Sequence, residues 1–357
     1  MKPPVIILRQ SPTASTNQQQ SKDTQLEWKT EMLDSTDNML LNLIQTGFPL
    51  QPEPYRELGL KLSIDGDEVI RRIEQLKTDG IIRQIGPVMD SRRLGYRTTL
   101  VAMRVADTKL DKAAQLLVEH PGVSHGYERD HHFNLWFTLA IPPGVDMDRE
   151  LEQMTRTIGA ESAFALPAIK LFKIRAYFAM GGDSQISTDT TSPAGSMLPQ
   201  EVELSVTDRK VINELQQDLP LIPSPFSAMA ARLNLEGEDF LSQCRSLLKR
   251  GVIRRFSASV NHRNAGFTAN AMTCWIAPAE KVDAAGQKLA SLREVSHCYE
   301  RKTNPQWRHN LFAMIHGRSG EICREIAGRV SSETGLTDQI FLFSTREFKK
   351  TRVIYKI

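Results

Sequence analysis

The chain is written twice. The segment DNMLLNLIQTGFPLQPEPY at 37–55 lies without a gap over DRKVINELQQDLPLIPSPF at 208–226. The same offset of 171 residues sets Gly80 on Gly251 and Gly95–Tyr96 on Gly266–Phe267. It grows to 172 at VSHGYER (123–129) and VSHCYER (295–301), and to 176 at Asn134–Leu135 and Asn310–Leu311. Two like units in one chain bury like surfaces, so an intramolecular pseudo-dimer is the expected packing. The growth in offset places the main difference between the halves in a single turn, just after the His-Tyr-Arg phrase.

Low-complexity stretches bound the units. GGDSQISTDTTSPAGSMLPQEVELS at 181–205 has the Gly/Ser/Thr/Pro chemistry of a linker. Residues 1–28 carry a Ser/Thr/Gln/Asn tract too polar to build a core and are expected to be a disordered tail. The tail's apolar stretch, Val5 to Leu8, is too short for a signal-peptide core. In each half a helical pattern (Val69, Ile70, Ile73, Leu76; Phe240, Leu241, Cys244, Leu247) ends at a glycine and runs into a β-rich phrase. Three helices and a short hairpin make a winged helix-turn-helix, expected at 29–92 and 206–263.

The remainder, 93–180 and 264–357, reads strand, helix, strand, strand, helix, strand. In the first half, strands are expected near 97–105, 123–129, 133–141 and 170–178, with helices near 109–119 and 146–158. In the second, strands are expected near 267–276, 295–302, 309–316 and 347–356. The fold class is therefore α+β, a tandem repeat of winged helix-turn-helix plus ferredoxin-like βαββαβ domain.

Bulk properties exclude little. A net charge of +3 argues neither for nor against a polyanionic partner. The four cysteines form no C-x-x-C pair, as befits free thiols in a reducing compartment, and no apolar run is long enough to cross a bilayer. A cytoplasmic protein without a membrane partner is expected.

Strand periodicity gathers the chemistry. Residues two apart share a face, so Val123, His125, Tyr127 and Arg129 should project together, and Val295, His297, Tyr299 and Arg301 likewise. Ser124, Gly126 and Glu128, or Ser296, Cys298 and Glu300, take the opposite, helix-covered face. Two copies docked through their open faces would bring two imidazoles, two phenols and two guanidiniums together. The adjoining turns add His131, His132 and Phe133 on one side, and Lys302, Trp307, Arg308 and His309 on the other. Counting His316, six of the eight histidines sit in or beside these hairpins. Each residue has a plainer role: strand histidines bond to backbone, and arginines pair with glutamates. Neighbouring Glu128 and Glu300 face the wrong way for that pairing, however. Lys173, Lys350 and Arg352 on the last strands are candidate carboxylate binders, and also the charges that protect a sheet edge. Asn261, His262 and Arg263 are weaker candidates.

The architecture, with LKTDGIIRQI and LLKRGVIRRF at the helix-to-wing passage, resembles the Lrp/AsnC transcription regulators. In such a regulator the helix from Asp65 would enter the major groove. Residues 64–79 carry five acidic against three basic side chains, and Glu236, Glu238 and Asp239 crowd the equivalent helix start. Carboxylates there oppose phosphate contact and suit the helix dipole instead, so specific DNA binding is not expected.

HGYERDHHFNLWFTL, HCYERKTNPQWRHNLFAMIHG, GVIRRFSASVNHRNAGFTANAMTCW and FKKTRVIYK more closely resemble the siroheme decarboxylases, over nearly the whole chain from about 30 onward. The first half looks like one subunit type and the second like its partner, here fused. Where that partner commonly has Trp-x-Tyr-Asn-Leu-Phe, this chain has Trp307-Arg308-His309-Asn310-Leu311-Phe312.

The resemblance implies loss of carbon dioxide from two ring acetates of siroheme, in the haem d1 or alternative haem route. Arg129, Arg301 and Lys302 suit the substrate's carboxylates, and Trp307, Phe133, Tyr127 and Tyr299 suit its flat ring. His125 and His297, near their ordinary pKa, are the expected acids, one acetate each, with Tyr127 and Tyr299 orienting or relaying. His131, His132 and His309 are further candidates for substrate contact. No added cofactor is expected, because siroheme brings its own iron; any of these imidazoles is a candidate axial ligand. The partners implied are siroheme and its products, with a second copy or a further homologous subunit open. A ligand-responsive regulator and a non-catalytic tetrapyrrole carrier are the alternatives.

Overall fold

A computed structural model of the chain describes residues 33–174, 196–197, 200–260 and 269–357. The expected tail, most of the expected linker and Asn261, His262 and Arg263 lie outside the described residues.

Each half opens with three helices: α1 (Ser35–Thr46), α2 (Pro54–Leu62) and α3 (Gly66–Thr78), then α6 (Val206–Leu215), α7 (Pro225–Arg232) and α8 (Gly237–Lys249). Their ends follow from local chemistry. Asp34, Asp65 and Ser205 accept backbone N–H groups at the starts of α1, α3 and α6. Pro54 and Pro225 open α2 and α7, where a missing N–H costs nothing.

Among the described residues neither half forms the expected hairpin wing. Instead β1 (Ile82–Met89) pairs antiparallel with β7 (Ile253–Val260), so each half contributes one strand to a shared ribbon. The short turn between Met89 and Arg97 leads straight into the next strand and leaves no residues for a second wing strand. One continuous apolar core, including Leu40, Ile73, Ile85, Val211, Leu247 and Phe256, runs through both helical units and the ribbon.

Strands β2 (Arg97–Arg104), β3 (Val123–Arg129), β4 (Leu135–Ile141) and β5 (Ser162–Ile174) form the first ferredoxin-like sheet. Helices α4 (Leu110–Glu119) and α5 (Met147–Ile158) cover it. The second has β8 (Ala269–Trp275), β9 (Val295–Arg301), β10 (Leu311–Gly317) and β11 (Gln339–Lys350), under α9 (Ala279–Ser291) and α10 (Gly320–Thr334). The two-residue β6 (Ser196–Met197) adds to β5.

The last strands start eight residues earlier than expected, because each has two partners. Residues 162–167 of β5 pair with β2, and 168–174 cross to β9 of the other half. Residues 339–343 of β11 pair with β8, and 344–350 cross to β3. Pro167 sits at the crossing, where a residue without an N–H is tolerated. Eight strands thereby close into a ring, β2-β4-β3-β11-β8-β10-β9-β5 and back to β2.

The exchange is locked by reciprocal phenylalanines. Phe172 of β5 is buried in the second half's helix-side core, directly against Gly286, where an added Cβ would stand 2.5 Å from the ring. Phe348 of β11 packs on the first half's core against Gly126, where a Cβ would stand 2.6 Å away. Inside the ring the two sheets share a cluster of Ala102, Phe133, Trp136, Phe164, Leu166, Met272, Cys274, Trp307, Phe312 and Leu342.

Candidate active site

The paired His-Tyr-Arg strands line this interior. Tyr127 stands opposite Trp136, and Tyr299 opposite Phe312, both members of the intersheet cluster. His125 and His297 lie one inward step further along the same strands.

Val123 and Val295 do not share that face, contrary to strict alternation: each is buried in its own helix-side core. The register shifts between Val123 and His125, and between Val295 and His297, so Ser124 and Ser296 are bulged. An extra residue in a strand inverts the parity beyond it. The bulge also brings each serine hydroxyl to its neighbour's Nδ1, 3.0 Å at His125 and 2.8 Å at His297.

Arg129 and Arg301 form a pseudo-symmetric pair. Arg129 Nη1 donates to Leu342 O at 2.7 Å and Arg301 Nη1 to Leu166 O at 2.9 Å, each reaching the strand that crosses from the other half. Each guanidinium lies over the tyrosine two residues before it, at 5.1 and 4.6 Å. Both Nε atoms are buried without a partner. Among the described residues neither arginine has a carboxylate within ion-pair distance. Burial is the first cause that lowers both pKa values to about 10. A buried charge without a counter-ion is costly, and two of them facing one interior call for an anion.

The imidazoles differ from expectation. Burial first, then the charges of Lys350 and Arg83, lower His125 to about 4. Burial, then His125, His316, Lys350 and Arg255, lower His297 to about 3. Neither sits near its ordinary pKa; both are neutral at pH 7. Yet His125, Tyr127, His297, Tyr299 and Arg301 all keep some water-accessible surface, as side chains lining an internal space do.

The turn end of the interior is aromatic. Trp307, buried and with an unpartnered Nε1, lies 5.0 Å from Trp136, 5.6 Å from His131, 6.0 Å from Phe164 and 5.4 Å from His309. His131 Nδ1 accepts from the Phe133 N–H, and His309 Nε2 stands 3.3 Å from Asp338. Beside it opens a cleft of about 550 Å³, lined in part by Arg104, Arg129, His131, Asn134 and Arg346.

Three expected contacts lie elsewhere. Lys173 pairs across from Cys298, on the helix-covered face, and its Nζ donates to Leu292 O at the end of α9. Its structural counterpart is Lys349, which donates to His120 O at the end of α4; both cap helix C-termini, a favourable site for a cation. His132 and Lys302 are exposed on the turns.

Lys350 does belong to the interior, directly opposite His125. Arg352 packs on Gly86 of the ribbon, with Nη2 donating to Ser257 O and Nη1 buried without a partner. Periodicity missed the ribbon's Arg83 and Arg255, which supply positive charge to the two imidazoles. Arg83 after Gly80 and the Arg254–Arg255 pair after Gly251 were the available signal.

Comparison with known proteins agrees with this geometry. The AsnC-like ligand binding domain matches 93–173 and 264–349, and the siroheme decarboxylase NirDL-like HTH domain matches 37–83 and 208–254. A siroheme decarboxylase of Hydrogenobacter thermophilus is 39% identical over 325 residues, 88% of this chain and 93% of that protein. A siroheme decarboxylase alpha subunit of Desulfovibrio desulfuricans is 44% identical over 43% of this chain and 87% of its own length. The crystal structure of siroheme decarboxylase NirDL with an iron-uroporphyrin III analogue superposes with a TM-score of 0.67, at 34% identity, over 92% of this chain and 94% of that one. A fused chain with both repeats, matched almost end to end by such relatives, belongs to the siroheme decarboxylase family.

Proposed function

We propose that the protein is a carboxy-lyase that removes carbon dioxide from two acetate side chains of siroheme, giving 12,18-didecarboxysiroheme. The observation that carries this is the pair of inward guanidiniums, Arg129 and Arg301, without carboxylate partners among the described residues. A flat macrocycle ringed by carboxylates supplies what they lack, and the Trp307 cluster supplies an apolar wall for its ring. The relative solved with an iron-uroporphyrin analogue supports a ligand of this class.

The chemistry needs a proton donor at each reacting carbon. Loss of carbon dioxide leaves the bonding pair on a methylene carbon, delocalised into the tetrapyrrole, and that carbon must be protonated. His125 and His297 are the donors, one for each acetate, and Tyr127 and Tyr299 orient them or the substrate. Burial and the cations around them keep these imidazoles neutral; several substrate carboxylates offset the charge of Lys350, Arg83 and Arg255 and raise their pKa. Proton supply is thereby tied to substrate binding. Lys350 and Arg352 serve further carboxylates at the ribbon end, and His131 and His309 contact the substrate at the turn end. No added cofactor is required, since the ring system is the electron sink.

The regulator alternative draws no support from the helices. In α3, Arg71 pairs with Glu68, and Arg72 with Glu68, Asp34 and Asp37; Lys77 pairs with Asp218 of the other half. Cations neutralised inside the protein release no counter-ions on DNA. Among the described residues no helix is long and apolar enough to cross a membrane, and we place the activity in the cytoplasm. Anaerobic incubation with siroheme, followed by mass spectrometry, tests the proposal. Two successive losses of carbon dioxide are expected; siroheme bound but unchanged would show a carrier.

A further inference from the structure

The two half-sites differ at a position that the chemistry above leaves unused. Ser296 Oγ lies 2.8 Å from His297 Nδ1 and also 2.8 Å from His316 Nε2. In the first half Ser124 Oγ lies 3.0 Å from His125 Nδ1. Val123 pairs with Leu139, and Val295 with Ile315, so the counterpart of His316 is Ala140. Among the described residues Ser124 therefore has no second imidazole. His316 is buried on the inward side of β10, in step with Phe312 and Met314. A hydroxyl between two imidazoles accepts from one and donates to the other, which is the minimal unit of a proton wire. A hydroxyl on one imidazole only orients it.

We propose that His316 resupplies His297 with protons through Ser296 Oγ, so that one decarboxylation draws on a relay and the other does not. The inference rests on the decarboxylase reading. In the step, the acetate C–C bond breaks, carbon dioxide leaves, and the electron pair stays on the methylene carbon. That carbon takes the Nε2 proton of His297. That proton reaches neutral His297 as substrate carboxylates raise its pKa: its Nδ1 takes the Ser296 hydroxyl proton, Ser296 Oγ takes the Nε2 proton of His316, and one proton entering from solvent restores His316 at Nδ1, an atom buried in the structure. One proton is consumed for each carbon dioxide released. The titratable and charged groups facing His297 are His125, His316, Lys350 and Arg255; Lys350 also faces His316. The relay is thus a short neutral path through a cationic surround.

The test uses the full chain with siroheme under anaerobic single turnover, resolving the two mono-decarboxylated products. His297→Ala identifies which loss depends on that half-site. Ser296→Ala removes the bridge, and His316→Gln keeps a hydrogen-bond donor but cannot pass a proton. Both variants should slow the His297-dependent loss roughly 100-fold, at the lower end for acid–base catalysis. The other loss should keep its rate, siroheme affinity should be unchanged, and the slowed step's pH profile should shift. His316→Gln matching the unmodified protein in rate and pH profile would make His316 a scaffold and overturn the relay. Equal slowing of both losses would also overturn it, as a folding lesion. If the unmodified chain releases no carbon dioxide, the decarboxylase reading has failed instead.

Discussion

Replacing Arg301 with methionine separates a substrate-binding arginine from a structural one. Burial lowers its pKa from 12.5 to about 10, which corresponds to roughly 3 kcal/mol against the charged form. Opposing this are one charge-assisted hydrogen bond to Leu166 O at 2.9 Å, roughly 1.5–3 kcal/mol, and the contact with the Tyr299 ring at 4.6 Å, about 1 kcal/mol. These nearly cancel. Arg301→Met, of similar length and apolar, should therefore change folding stability by no more than about 1 kcal/mol, measured by urea denaturation. Binding behaves differently, because a carboxylate that pairs with this buried cation loses its partner. Removing one side of such a pair costs about 2–5 kcal/mol. Anaerobic titration with an iron-uroporphyrin III analogue should show a weakening of at least roughly 30-fold. A variant destabilised by about 3 kcal/mol or more, with affinity unchanged, would show that Arg301 serves the fold and would refute the reasoning.

Three further outcomes are expected. Gly126→Ala puts a Cβ 2.6 Å from Phe348, so it should cost about 1–3 kcal/mol as overpacking, and Phe348→Leu should recover part of that loss in the same denaturation assay. His125 and His297 have folded pKa values of about 4 and 3, below the ordinary 6.5. Their neutral forms cost nothing above pH 6.5, and stability falls as pH drops from 6.5 towards 4. Each should contribute roughly 2 kcal/mol of loss by pH 5, and His297→Asn should flatten that slope in denaturation curves. Substrate carboxylates raise these pKa values, so binding at pH 7 should take up protons. Calorimetry in buffers of different ionisation enthalpy reads that uptake, and heats independent of the buffer would contradict it.

Much of the architecture was legible because duplication checks every inference twice. The helix stops at Gly80 and Gly251, the strand periods and the inward Tyr and Arg positions all follow from local pattern. What escaped depends on contacts between the halves. A bulge at Ser124 and Ser296 inverts parity, and nothing in VSHGYER or VSHCYER announces it; Val123 and Val295 therefore face their helices. The shared ribbon replaces two hairpins because β1 finds its partner in β7. Lys173 matches Lys349 rather than Lys350, since the offset that holds across the crossing strands is 176, and both cap helices. The imidazole pKa values escaped for the same reason, since Arg83, Arg255 and Lys350 meet them only in three dimensions.

Product analysis of two single variants tests most directly whether the paired strands form the reacting centre. His125→Ala and His297→Ala, incubated separately with siroheme under anaerobic conditions, should each stop after one loss of carbon dioxide. The two mono-decarboxylated products should differ, and mass spectrometry with chromatographic separation distinguishes them. Full conversion by both variants would remove these histidines from the chemistry. Loss of both steps in one variant and neither in the other would replace two half-sites with a single site that rebinds its product.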